Sequence, residues 1–331
     1  MEDQPKPIPR ATLDNVLPPN RDRIFFENSQ NHPFRYNSSR FELVNAWWLA
    51  EASLLVYDEE AYIREEFRKA GLVDFMAFTG SSTQCFVASN NDFIVVAFRG
   101  TQVYKRGFKS VFHEIVADIL ADISIILVDS QQGGYVHKGF KKALDEIWKD
   151  QGEKQGLESY LNQIKNAAGH NRTLWITGHS LGAALATLAA DRYGNVQGVY
   201  TFGSPRVGDG AFKDDYHINT YRFVNNNDIV TNVPLIGSYE PLRLPPLGIY
   251  RHVDGLKYID SKGQINDNQK LSGRLRDRFT GYFSHQFNVL GHLRSGFLGD
   301  IPDDGFVDHA PLFYANHIWN NYLEEMRRFT R

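Results

Sequence analysis

Gly178-His179-Ser180-Leu181-Gly182 is the stretch of this chain whose residue types best suit covalent chemistry. It lies between an apolar run, Leu174-Trp175-Ile176-Thr177, and a small-residue stretch carrying Ala183, Ala184, Ala186, Ala189 and Ala190. That order predicts a buried strand, a sharp turn and a helix, with the serine at the turn. Glycines two residues to either side leave room for strand and helix to approach. Ser180 would stand above the C-terminal edge of a sheet, where a helix N-terminus favours developing negative charge. The competing reading is a plain strand–turn–helix joint with an incidental serine.

A serine hydroxyl becomes a useful nucleophile only when a neighbouring base takes its proton, and a carboxylate usually orients that base. On a joint of this kind the chain order is Ser, then Asp or Glu, then His. Asp228, in Tyr221-Arg222-Phe223-Val224-Asn225-Asn226-Asn227-Asp228, follows a strand-like run, so it is expected just past a strand's C-terminal end. Asp209 also follows a strand, but it opens a helix and capping accounts for it. Among the histidines, His217 precedes Asp228, His285 and His292 sit in a Phe-rich stretch, and His252 has no distinguishing context. His309 lies in a loop running into a C-terminal helix that contains His317. A loop histidine reaches a serine more readily than one facing out of a helix, so His309 is the expected base. An oxyanion hole is the third requirement. The backbone N–H of Leu181 is the expected first donor, and Thr101, after Phe98-Arg99-Gly100, the second.

These residues need a scaffold. Residues 41–57 and 59–69 read as helices, the first mostly buried. Residues 73–78 and 84–88 flank a turn, and Phe93-Ile94-Val95-Val96-Ala97-Phe98 reads as a strand buried on both faces. Residues 123–128 read as a second such strand, 174–177 as a third, and 199–202 and 221–224 complete the set. Helical patterns at 141–149, 157–168 and 181–193 alternate with them, which predicts an α/β domain with a mostly parallel sheet. Residues 1–40 form an N-terminal arm without clear period, wrapped on the domain or partly disordered. Residues 41–331 form a single domain, in which 236–304 reads as loops, a short hairpin near 256–264 and one or two helices.

Composition narrows the function. The chain has 331 residues, with 36 Lys+Arg against 39 Asp+Glu. A net charge of −3 argues against nucleic-acid binding and gives no pull toward anionic membranes. The single cysteine, Cys85, rules out an intramolecular disulfide and a Cys-rich zinc site. No His/Asp cluster has metal-site spacing, and no cofactor is expected. No apolar run approaches the roughly 20 residues that span a bilayer. The acidic, proline-rich start is no secretory signal, so the expected location is cytoplasmic, or secreted if the sequence is a mature form. Aromatic residues reach 13%, which means either a heavy core or an apolar surface for a partner or lipid.

Taken together, Phe98-Arg99-Gly100-Thr101, Val136-His137-Lys138-Gly139-Phe140, Gly178-His179-Ser180-Leu181-Gly182, Phe202-Gly203-Ser204-Pro205-Arg206-Val207-Gly208, Asn227-Asp228-Ile229-Val230 and Asp308-His309 resemble the class 3 lipases, in that family's order and over roughly residues 41–325. The resemblance implies an α/β-hydrolase fold: a mostly parallel central sheet, helices on both faces and a helical lid. It implies Ser180, Asp228 and His309 as the triad and Thr101 and Leu181 as oxyanion donors. It implies a lid over about 102–118 and a lipid or ester substrate met at a lipid–water interface. His137, inside one motif, is expected to pack or hydrogen-bond behind the site. Three departures stand out. Fungal members carry disulfides and a signal, Ala183 stands where many members have a second glycine, and 236–304 is longer than the minimal form. Phospholipase A1 and aryl or feruloyl esterase activities fit the same residues, and an inactive hydrolase-fold scaffold is the reading from another class.

Overall fold

All six residues of strand Phe93–Phe98 are buried, and the two faces of that strand feed two different cores. Side chains alternate across a strand. Phe93, Val95 and Ala97 join a layer containing Trp47, Trp175 and Trp319, while Ile94, Val96 and Phe98 join one containing Leu144, Ile176 and Leu185. A strand covered on both faces reads as a continuous apolar run rather than an alternating one, as this one does.

The computed structural model describes residues 3–101, 126–165, 171–234, 250–267 and 304–329. Its elements are α1 (Leu13–Val16), α2 (Leu43–Leu55), α3 (Glu60–Lys69), β1 (Asp74–Thr79), β2 (Gln84–Ser89), β3 (Phe93–Phe98), β4 (Leu127–Asp129), β5 (Tyr135–His137), α4 (Lys138–Trp148), α5 (Leu157–Lys165), β6 (Thr173–His179), α6 (Leu181–Tyr193), β7 (Gly198–Phe202), α7 (Gly210–Asp215), β8 (Thr220–Asn225), β9 (Leu256–Ile259), β10 (Ile265–Asn266), α8 (Asp304–Val307) and α9 (Pro311–Phe329). Eight strands form one sheet in the order β1-β2-β3-β6-β7-β8-β9-β10. The pairs β3–β6, β6–β7, β7–β8 and β8–β9 are parallel. The outer pairs β1–β2, β2–β3 and β9–β10 are antiparallel. Helices α2 and α9 pack on one face, and α4, α5 and α6 on the other. This is the α/β-hydrolase architecture.

Most of the aromatic content is core. Phe34 packs on Phe93 and Trp175 with ring centroids 4.7 and 5.2 Å apart, and Trp47 on Trp319 at 4.9 Å. Among the described residues, the exposed large apolar side chains are Ile8, Ile24, Val73, Met76, Ile126 and Tyr135, of which one is aromatic.

Two sequence expectations change. The described part of the run 123–128, residues 126–128, is not in a central strand. Ile126 is exposed, and among the described residues β4 pairs with β5 in a separate two-stranded ribbon. Both edges of β3 are taken by β2 and β6, so the position beside it is filled. The hairpin expected near 256–264 is present, but it is not isolated: β9 pairs with β8 and lengthens the main sheet. The lid stretch 102–118 and residues 268–303 of the long segment lie outside the described residues.

The N-terminal arm is docked by polar as well as apolar contacts. Val16, Phe25, Phe26 and Phe34 are buried in the α2–α9 layer. The Arg23 guanidinium donates to Glu51 Oε2 at 2.9 Å, to Glu51 Oε1 at 2.5 Å and to Asn316 Oδ1 at 2.7 Å. Glu51 is fully buried on α2. Burial alone would push its carboxyl up, but Arg23 outweighs that and holds it below the usual range. Arg23→Ala strands this carboxylate, and removing one partner of a buried pair costs about 3–5 kcal/mol. Urea unfolding at pH 7 should show that loss. The penalty should shrink as pH falls, because a protonated Glu51 no longer needs a cation.

Candidate active site

Ser180 sits between β6 and α6 with φ 58° and ψ −128°. A non-glycine residue held there stores about 1–3 kcal/mol of strain. Both flanking glycines are sterically required. A Cβ on Gly178 would lie 2.3 Å from the Gly182 carbonyl oxygen, and one on Gly182 would lie 2.3 Å from the Phe98 carbonyl oxygen. The turn is pinned further by the Ser180 N–H, which donates to the Phe202 carbonyl at 3.0 Å.

Asp228 follows β8 and is buried, 1% exposed. His309 follows α8, 81 residues later, and its Nδ1 lies 2.9 and 3.0 Å from the two Asp228 oxygens. A carboxylate only accepts, so Nδ1 carries a hydrogen, and the tautomer of the neutral ring is the one with Nε2 as acceptor. Two more donors hold the carboxylate: the Tyr314 hydroxyl at 2.7 Å on Oδ2 and the Val230 N–H at 2.9 Å on Oδ1. Burial, with the Asp228 charge beside it, pushes the Tyr314 hydroxyl well above its ordinary value, so it stays a donor. Asp308 stitches the two loops together. Its Oδ2 accepts from Asn226 Nδ2 and the Asn227 N–H, both at 3.0 Å, and its carbonyl from Asn225 Nδ2 at 3.0 Å. Gly203, at the end of β7 with φ 62°, leaves this pair its space. A Cβ there would come within 2.7 Å of Asp228 Oδ2 and 2.9 Å of His309 Nδ1.

The serine and the histidine belong to neighbouring segments. His179, the residue before Ser180, places its Nε2 2.6 Å from the His309 carbonyl oxygen, and the two imidazole rings are 4.6 Å apart. Leu181 opens α6. Thr101 lies three residues beyond the end of β3, whose Phe98 is in register with Gly178 of the adjacent parallel strand β6. Arg99 ties this loop to the end of α2, donating to the carbonyls of Val56 and Asp58 and to Gln84 Oε1.

The other candidates have structural roles. Asp209 caps α7, accepting from the Phe212 N–H at 2.9 Å. His137 caps α4 through Nδ1, which accepts from the Phe140 N–H at 3.2 Å. His252 Nε2 donates to the Thr231 carbonyl at 2.7 Å. His317 sits inside α9 beside Gly263. His285 and His292 lie outside the described residues. Tyr314, Asp308, Gly203, Tyr57 and His179 went unnoticed as parts of this site. Gly203, Asp308 and His179 lie inside motifs already quoted, and Tyr314 stands five residues after His309; Tyr57 carries no such signal. Among the described residues no group of three or more His, Cys, Asp or Glu could hold a metal ion. No helix among them is long and apolar enough to cross a membrane.

A strained serine turn and a buried Asp–His pair on a mostly parallel sheet define an α/β-hydrolase. The family described as Lipase (class 3) matches residues 95–238. The Rhizomucor miehei protein named Lipase is 35% identical over 129 residues, 35% of this chain and 33% of that protein. Phospholipase A(1) DAD1, chloroplastic, of Arabidopsis thaliana is 43% identical over 143 residues, 37% of this chain and 32% of its own. The crystal structure of mono- and diacylglycerol lipase from Aspergillus oryzae superposes with a TM-score of 0.52 at 21% identity, over 69% of this chain and 86% of that one, which speaks for the fold alone. Over residues 95–238 the chain is similar to the class 3 lipase family. Its matches span about a third of the length of the first two of these relatives.

Proposed function

We propose that this chain is a serine carboxylic-ester hydrolase that cleaves acylglycerols through an acyl-enzyme. The carrying observation is the buried Asp228 carboxylate on His309 Nδ1, next to a serine held at positive φ. In this reading Ser180 Oγ attacks the ester carbonyl while His309 Nε2 takes its proton. Asp228 fixes the tautomer and stabilises the imidazolium. The N–H groups of Thr101 and Leu181 bind the tetrahedral oxyanion. His309 then protonates the leaving alcohol, and water repeats the cycle on the acyl-enzyme. No cofactor or metal enters any step. The substrate is a lipid or ester met at a lipid–water interface, with residues 102–118 as a lid over the acyl site. Relatives named as a lipase and as a phospholipase A(1) each match part of this chain, so a glycerophospholipid is the second substrate reading.

A fluorophosphonate probe should label Ser180. Emulsified tri-, di- and mono-olein should be hydrolysed, with phosphatidylcholine vesicles run in parallel. Preferential release of the sn-1 acyl chain from the vesicles would move the assignment to phospholipase A1. A folded chain that is neither labelled nor active on any of these would be a scaffold, and the proposal would fall.

A further inference from the structure

A buried hydrogen-bond chain links segments of the site, and its direction can be read from the chemistry of each atom. The His309 carbonyl oxygen can only accept, so the 2.6 Å contact puts a hydrogen on His179 Nε2. Burial, with His309 close by, pushes the His179 imidazole well below its ordinary value, so the ring is neutral and Nδ1 is bare. Tyr57 Oη lies 2.9 Å from that Nδ1 and must donate to it. Burial pushes the Tyr57 phenol up, against a smaller opposing effect of the nearby Gly100 backbone, which keeps its proton in place. A Cβ on Gly100 would lie 2.0 Å from Tyr57 Oη, so only glycine permits this approach. The chain therefore runs from Tyr57 O–H to His179 Nδ1 and from His179 Nε2–H to the His309 carbonyl, with Gly100 packed against Tyr57 Oη.

Each link sits beside a residue of the proposed machinery. Gly100 precedes Thr101, His179 precedes Ser180, and the last acceptor is the backbone of His309 itself. The partners are 122 and 130 residues apart in sequence. Tyr57 lies just past the end of α2, whose neighbouring Val56 and Asp58 carbonyls accept from Arg99.

We infer that Tyr57 and His179 are positioning residues that hold the oxyanion loop, the serine turn and the base loop in one register. This rests on the triad reading above. A loop that drifts by an ångström can lose about 10²-fold in rate without losing substrate affinity. Tyr57→Phe keeps the ring packing and removes the O–H. Its kcat on soluble p-nitrophenyl butyrate should fall about 10- to 100-fold, with KM within about threefold of wild type. Its affinity for a phenylboronic acid, whose tetrahedral adduct places oxygen in the oxyanion site, should fall in parallel. His179→Gln retains an N–H for the His309 carbonyl and should keep more activity than His179→Leu; this pair carries the test if Tyr57→Phe does not fold. Wild-type kcat in folded Tyr57→Phe, a drop confined to thermal stability, or equal activity of His179→Gln and His179→Leu would overturn the inference. Wild-type protein that neither turns over the ester nor labels with fluorophosphonate would overturn the triad reading instead.

Discussion

Ser180→Ala should lower kcat for ester hydrolysis on the order of 10⁴- to 10⁶-fold while leaving the fold intact. Nothing else in the turn can substitute for the hydroxyl. The neighbouring His179 is committed on both ring nitrogens, and Leu181 and the two glycines carry no nucleophile. A companion variant separates chemistry from strain. Alanine must hold the same φ of 58°, whereas glycine adopts it freely. Ser180→Gly should therefore be equally inactive yet more stable by about 1 kcal/mol. Initial rates and fluorophosphonate labelling read the first effect, and urea unfolding the second. Turnover by Ser180→Ala above a few per cent of wild type would remove Ser180 as the nucleophile.

Asp228→Asn should cost on the order of 10⁴ in kcat, through the wrong tautomer rather than through unfolding. Oδ1 accepts from the Val230 backbone N–H, Oδ2 from the Tyr314 hydroxyl, and both from His309 Nδ1. An amide can supply only one acceptor oxygen. The Val230 N–H cannot turn away, but the Tyr314 hydroxyl can rotate. The amide oxygen therefore takes the Val230 side, and the NH₂ group faces His309. Nδ1 must then accept, the ring hydrogen moves to Nε2, and the base has no lone pair for the serine. The variant should still melt cooperatively and react slowly with fluorophosphonate. Full activity in Asp228→Asn would mean that another carboxylate orients the ring, and no other carboxylate oxygen is recorded against His309 among the described residues.

Much of the scaffold could be read from local pattern. The run Phe93–Phe98 and the joint from Leu174 to Ala190 became the central strands β3 and β6 and the helix α6, because apolar continuity and small-residue spacing act within one element. The run 123–128, described from residue 126, departs from this. An apolar run records a preference for burial, but which strand lies beside β3 is decided by the rest of the chain. The hairpin at 256–266 was legible as a hairpin, but not as an extension of the main sheet, since its pairing partner β8 lies more than thirty residues earlier.

The site divides along the same line. Motif order nominated Ser180, Asp228 and His309, and the folded chain brings the last two into hydrogen-bond contact. Tyr57, Tyr314 and Arg23 carry no motif of their own. As sequence they are an aromatic residue near a helix end, one inside a helix, and an arginine in an arm. Their importance comes from the buried polar atoms they meet: His179 Nδ1, Asp228 Oδ2 and the Glu51 carboxylate.

The amino-acid order by itself nominated the candidate reactive residues, most of the strands and helices, and the serine–aspartate–histidine order along the chain. Periodicity and turn chemistry are short-range, so they survive being read one window at a time. The tertiary structure alone decided which polar atoms share a buried pocket and which way each hydrogen points. Those choices follow from satisfying every donor and acceptor away from water, a condition that couples residues more than a hundred positions apart.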